Sequence, residues 1–229
     1  MSIHNYSKPS LTTDMVLFRI NVKESESKRK LSDIILEVLM VRRDREPQQG
    51  SISLPGGFVN IDESIEDNVV RKVKEKTGIE GNYYTEQLIT KGELDRDPRG
   101  RVISVSYIGL GNEETIEGSL KEGSDWYEVE GVLEGEYGEI AFDHKEIIEI
   151  ALNRIKNKVE YTDIAFNLLS SEFTISEVQR VYELLLDKEI LNFRRKIKDY
   201  LISLNKKTEG HQFRSAELFT LNKNREGKF

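Results

Sequence analysis

The sequence predicts an α+β chain of two units: a larger one over residues 1–155 and a small winged helix-turn-helix unit over residues 156–229. Three observations predict it. In the first part, β-rich runs surround a Pro-Gly-Gly turn and a capped amphipathic helix. At the end come a helix, a turn, a basic helix and two short apolar runs, the order of a winged helix. The charge divides the same way: residues 1–150 hold 19 Lys+Arg against 30 Asp+Glu, a balance of −11, while residues 151–229 hold 15 against 11, a balance of +4. A basic end on an acidic chain suits an anionic partner for that end.

Composition narrows the chemistry further. The 229 residues suffice for one medium domain and one small one, each with a core. There is no cysteine, so disulfides and thiolate metal sites are excluded, and His4, His144 and His211 show no metal-ligand spacing. No apolar run approaches the length of a membrane helix, and the opening MSIHNYSKPS lacks the apolar core of a signal peptide. The expectation is a cytoplasmic protein without a membrane partner.

In chain order, residues 14–22 (DMVLFRINV) and 36–43 (LEVLMVRR) read as two strands joined by a charged loop over 23–30. Arg42, Arg43 and Arg45 follow the second strand and are placed either in an exposed turn or at the mouth of a pocket. Pro55, Gly56 and Gly57 form a turn in which backbone can approach a ligand closely. Asp62 or Ser64 caps the next helix; Ile65, Val69, Val70 and Val73 supply its buried stripe, and Gly78 stops it. Residues 84–90 and 102–110 continue the β pattern. Between them Arg96, Arg99 and Arg101 crowd a turn, either a charged hairpin tip or a phosphate site. Residues 125–132, with the single tryptophan Trp126, read as another strand. Asp143 is expected to cap a helix from 144 to about 159, with Ile148, Leu152, Ile155 and Val159 on one face.

In the second unit Thr174 and Glu177 have capping-box spacing and open a helix over 175–186, whose Val178, Val181 and Leu185 form its buried side. A second helix runs through 192–200 and turns Phe193 and Ile197 inward, with Leu201 following at the same spacing; Arg194, Arg195, Lys196 and Lys198 stay outside. Residues 201–204 and 217–221 read as the strands of a wing whose loop carries Lys206, Lys207 and Arg214. The alternative is a small α+β appendage with a basic surface. Four cations on one short helix, plus a basic wing, favour double-stranded DNA.

The stretch from Leu54 to Gly78 is the most informative. Gly57, Glu63, Arg71, Glu75 and Gly78 match the pattern of Gly, five residues, Glu, seven residues, then Arg-Glu-x-x-Glu-Glu-x-Gly, and the stretch therefore resembles a Nudix box. Two positions differ: Lys72 and Lys76 stand where the box has glutamates that hold divalent cations, and two ammonium groups beside one carboxylate repel such an ion. With Leu54-Pro-Gly-Gly-Phe-Val59, Arg96-Asp-Pro-Arg-Gly100, Ala141-Phe-Asp-His144, Phe173-Thr174 and Asn192-Phe-Arg-Arg-Lys196, the whole chain resembles the Nudix-related transcriptional regulators of NrtR type. That resemblance implies a Nudix α/β/α sandwich ahead of the winged helix. It also implies a homodimer that represses genes of NAD metabolism and leaves its operator when ADP-ribose, an effector rather than a cofactor, fills the Nudix pocket. The implied effector residues are Arg43, Pro55, Gly56, Gly57, Glu75, Arg96 and Arg99. The implied DNA contacts are Thr174, Asn192, Arg194, Arg195, Lys196, Lys198, Lys207 and Arg214, with no metal and no catalytic residue. Relatives of the same architecture sense sugars such as arabinose, and the remaining alternative is an active Nudix hydrolase that cleaves ADP-ribose with magnesium held by Glu63, Glu75 and a further carboxylate.

Overall fold

The computed structural model describes residues 8–23, 33–208 and 215–224. The charged loop after residue 23 and wing residue Arg214 fall outside them. The central sheet contains β1 (Ser10–Lys23), β2 (Asp33–Arg42), β3 (Ile52–Ser53), β4 (Gly56–Phe58), β6 (Tyr84–Lys91), β7 (Val102–Leu110) and β9 (Ser124–Glu128). Its main path runs β3-β2-β1-β7-β6, with β4 also on β1 and β9 also on β2. β1 lies parallel to β7 and antiparallel to β2. A small hairpin-like pair, β5 (Ile79–Gly81) with β8 (Ile116–Gly118), stands beside the sheet.

The strand period of two builds the layers. Met15, Leu17 and Leu39 pack with Val69 and Val73 of helix α1 (Ile65–Thr77) on one face. Val16, Phe18, Val38 and Met40 pack with Ile147, Ile148, Ala151 and Ile155 of α3 (His144–Lys158) on the other. The result is the expected α/β/α sandwich.

Helix α1 begins at Ser64, not Asp62: the Asp67 amide donates to Ser64 Oγ at 3.0 Å. It ends at Gly78, whose φ of 77° is the left-handed cap. Val70 is not in the buried stripe. It is 50 % exposed, sharing a face with Asp67 and Lys74 at i−3 and i+4. Asn68 is buried instead: it accepts from Thr13 Oγ1 at 2.6 Å and donates to the Phe58 carbonyl at 2.8 Å, so its polarity is satisfied.

The strand expected over 125–132 stops at Glu128 and turns into helix α2 (Val129–Glu134). Val129, Val132 and Leu133 have helical spacing, and Gly135 closes the turn at φ 83°. Asp143 precedes α3, but its carboxylate makes no cap bond because Arg96 holds it.

The second unit continues the same core. A 3₁₀ helix, Ile164–Leu168, leads to α4 (Ile175–Leu186), α5 (Phe193–Ile197) and the two-stranded wing β10 (Leu201–Lys207) and β11 (Glu217–Leu221). Val159, Phe166, Val181, Phe193 and Ile197 belong to one apolar cluster with α3 and the sheet. Phe173 and Phe219 exchange both backbone hydrogen bonds and tie the start of α4 to the wing. Asn112 Nδ2 donates to the carbonyls of Asn167 and Leu169, bridging the two units. The helix expected over 192–200 is shorter than its pattern. After Ile197 the chain tightens into a 3₁₀ turn, Lys198–Tyr200, because Leu201 must already pair with Leu221.

Candidate effector pocket and nucleic-acid interface

A cavity of about 380 Å³ opens where the ends of β1 and β2, the Pro-Gly-Gly turn, α1, the turn around Arg99 and the start of α3 converge. That volume lies near the lower end for small-molecule sites. The glycines are required by what they touch. A Cβ on Gly56 would sit 2.2 Å from the Thr13 carbonyl oxygen and 2.3 Å from Asp14 Oδ1, because β4 pairs with β1 at that point. A Cβ on Gly57 would meet Lys72 Cε at 2.9 Å.

Cations dominate the wall. Among the described residues lining the cavity, Arg42, Arg43, Arg45, Arg96, Arg99, Lys72 and Lys76 face four carboxylates, an excess of three positive charges in an acidic domain. Arg43 stands 4.7 Å and Arg99 5.6 Å from the Phe142 ring centre, and Arg99 also lies 5.1 Å from Phe58. Arg99 is braced by Asp97, with Nη2 to Oδ2 at 2.6 Å. The guanidinium in turn holds that carboxyl below the usual aspartate range. Burial and the neighbouring Arg99 lower Arg43, which stays protonated at ordinary pH. Arg96 is nearly buried and grips Asp143 through two bonds of 2.8 and 3.0 Å. It therefore meets the pocket as a held group.

Lining residues outside the expected effector set include Asp14, Phe58, Phe142 and His144, besides Lys72 and Lys76. The resemblance carried a signal for three of the first four, Phe58 through the Leu54–Val59 stretch and Phe142 and His144 through the Ala141–His144 segment. His144 is buried and its Nδ1 accepts the Leu54 amide at 2.9 Å, so the start of α3 holds the Pro-Gly-Gly turn in place. Its Nε2 stands 3.7 Å from Asp14 Oδ1, and Asp14 also accepts from Ser104 Oγ at 2.5 Å.

Glu75 is not part of the pocket lining. Its Oε1 accepts from Arg71 at 2.7 Å and its Oε2 from Lys72 at 3.0 Å, which draws the carboxylate along the helix. Arg71 also holds Glu63 in a two-bond fork of 2.5 and 2.8 Å, and that contact takes Glu63 down to about 2. Lys72 and Lys76 do line the cavity.

On the winged helix, Arg194, Arg195, Lys196 and Lys198 are all exposed while Phe193 and Ile197 anchor α5 beneath them. Asn192 opens this helix in the left-handed region, φ 58°, and its carbonyl accepts from the Arg195 amide. Lys207, at the end of β10, is exposed; Lys206 beside it pairs with Glu172 at 2.9 Å. Thr174 differs from the others. It is buried, and its hydroxyl accepts from the Glu177 amide in a complete capping box, so its side chain serves the helix rather than an open surface.

Comparison with known proteins agrees with both halves. Residues 28–149 match the NUDIX domain model and residues 165–221 the model of the NrtR DNA-binding winged helix domain. The chain is 32% identical over 199 residues to an ADPR responsive transcriptional repressor of Acinetobacter baylyi, covering 84% of this chain and 74% of that protein. It is 39% identical over 113 residues, 49% of this chain and 64% of that protein, to an ADP-ribose pyrophosphatase of Methanocaldococcus jannaschii. The crystal structure of Shewanella oneidensis NrtR with a 27mer DNA superposes with a TM-score of 0.75 at 35% identity, covering 93% of each chain. The Nudix domain of the same protein with ADP ribose superposes with a TM-score of 0.52 at 33% identity over 67% of this chain and 93% of that one. A Nudix sandwich with a cation-lined pocket, joined through one core to a winged helix with an exposed basic helix, places the chain in the NrtR family of Nudix-related transcriptional regulators.

Proposed function

We propose that the protein is a transcriptional repressor of NAD-metabolism genes that grips its operator through the winged helix and releases it when ADP-ribose enters the Nudix pocket, without cleaving the ligand. Two copies paired through their Nudix domains bind the two halves of a palindromic site in the cytoplasm. On DNA, Arg194, Arg195, Lys196 and Lys198 meet the duplex, with Asn192 beside them and wing residues Lys207 and Arg214 on phosphates. In the pocket, Arg43 and Arg99 take the diphosphate bidentately, and the turn of Pro55, Gly56 and Gly57 lets backbone lie against it. The observation that carries the reading is the excess of three positive charges lining the cavity, with Arg43 and Arg99 over the Phe142 ring. A neutral sugar has no use for those charges, whereas a nucleoside diphosphate derivative uses both them and the aromatic face.

The hydrolase reading has one observation in its favour, the 39% identity to a pyrophosphatase. Against it stands Lys72, whose ammonium sits 3.0 Å from Glu75 on the helix where a cation would have to bind. One experiment separates them. The protein bound to a fluorescent operator duplex is titrated with ADP-ribose and magnesium, and the mixture is assayed for AMP. Release of the duplex with intact ligand is expected, and Arg195→Ala weakens duplex binding about ten- to hundred-fold with unchanged melting. AMP at an enzyme-like rate would make the protein a hydrolase.

A further inference from the structure

The Nudix frame implies a divalent cation, and the residues of this box do not fit one. Both oxygens of Glu75 accept from fixed cations, Arg71 and Lys72, and both oxygens of Glu63 accept from Arg71. Among the described residues no three His, Asp or Glu converge to hold an ion. With glutamate at 72 and 76, the five charged positions 63, 71, 72, 75 and 76 would carry −3; with lysine they carry +1. The change of sign is what a cation-free anion site needs.

We infer that Lys72 and Lys76 take the place of the metal: their ammonium groups, set on α1 at the pocket wall, hold a diphosphate directly, so that the ligand binds without any divalent cation. The geometry of Lys72 shows a built position. Its stem lies under Gly57, where even a methyl group would come within 2.9 Å of Cε. Of its three donors one goes to Glu75, which leaves two for an incoming oxygen. Lys76, one turn along the same helix, lines the same cavity and makes no ion pair with a described carboxylate. A fixed ammonium neutralises phosphate charge but carries no bound water of lowered pKa, so the same exchange that preserves binding removes the means of hydrolysis. The inference deepens the effector reading, and depends on it only for the identity of the diphosphate.

The test uses the full-length protein stripped with EDTA and calorimetric titration with two probes, ADP-ribose and inorganic pyrophosphate. Each is expected to bind in EDTA within about two-fold of its affinity in magnesium. The double variant Lys72→Gln/Lys76→Gln, checked by its melting temperature, loses about ten-fold or more for both probes in EDTA. The double variant Lys72→Glu/Lys76→Glu, which restores the acidic box, loses binding in EDTA and regains it with magnesium. A requirement for magnesium by the parent protein overturns the inference, as does parental affinity in a folded glutamine variant. Pyrophosphate bound in EDTA while ADP-ribose is not supports the lysine site and sinks the effector assignment; neither probe bound in EDTA sinks the lysine site.

Discussion

His144 shows how one side chain can tie a pocket to a helix and leave a pH signature. Its Nδ1 accepts the Leu54 amide, so the ring is neutral with the proton on Nε2, facing Asp14. Burial pushes its pKa below the usual histidine value; Asp14 and Asp143 pull the other way, and Arg96 and Arg43 add to the lowering. Protonation would put a hydrogen where the Leu54 amide already points. The unfolded chain binds the proton near pH 6.5 and the folded chain only at lower pH, so stability is complete above about 6.5 and falls as pH drops below it. One such group contributes up to about 1.4 kcal/mol per pH unit over that window. His144→Asn keeps an acceptor close to Nδ1 and removes the titration. Urea unfolding at pH 7.5 and 5.5 should show the parent losing more stability than the variant. Equal losses in both would mean that His144 takes up its proton without cost.

At the scale of elements, the winged helix rests on short pieces whose ends are fixed by specific bonds. The α4 cap is complete, with Glu177 Oε2 accepting from the Thr174 amide at 2.7 Å and Thr174 Oγ1 accepting in return at 3.2 Å. Thr174→Ala should therefore cost about 1 kcal/mol, seen as a lower urea midpoint, with DNA affinity falling only as far as the fold does. A much larger loss of DNA affinity in the folded variant would mean that Thr174 itself meets the duplex. Capping spacing and apolar periodicity made α1, α3, α4 and both wing strands legible in the sequence. Where local pattern failed, longer-range contacts had decided. Val70 looked apolar but its helical angle faces solvent, residues 129–134 carried β-prone valines at helical spacing, and α5 gave up its last turn to the pairing of Leu201 with Leu221. The pocket was partly legible, since Arg43, Arg96 and Arg99 follow from charge in turns. Asp14, Phe58, Phe142 and His144 come together only when β1, β4 and α3 meet, which no local spacing encodes.

Across the whole molecule, α3 is the shared part. Its first residues meet the pocket through the Asp143 pair with Arg96 and the His144 bond to Leu54, and the chain at its far end, at Val159, packs in the same cluster as Phe166, Tyr182 and Phe193 of the winged helix. Fifteen residues of helix span roughly 22 Å, so a shift at one end reaches the other as a rigid displacement. If ADP-ribose at the pocket weakens operator binding by some factor, operator must weaken ADP-ribose binding by the same factor, typically about 5- to 150-fold. Calorimetry with ADP-ribose on free and on operator-saturated protein reads one side of that equality, and operator titration with and without ADP-ribose reads the other. Asp143→Asn removes the charge that Arg96 grips and loosens the start of α3, while leaving Arg43, Arg99 and the basic helix intact. Its operator affinity without ligand should match the parent, and its coupling factor should fall towards one. A variant that keeps the parental factor would place the route elsewhere, through the Asn112 bonds to Asn167 and Leu169 that also join the two units.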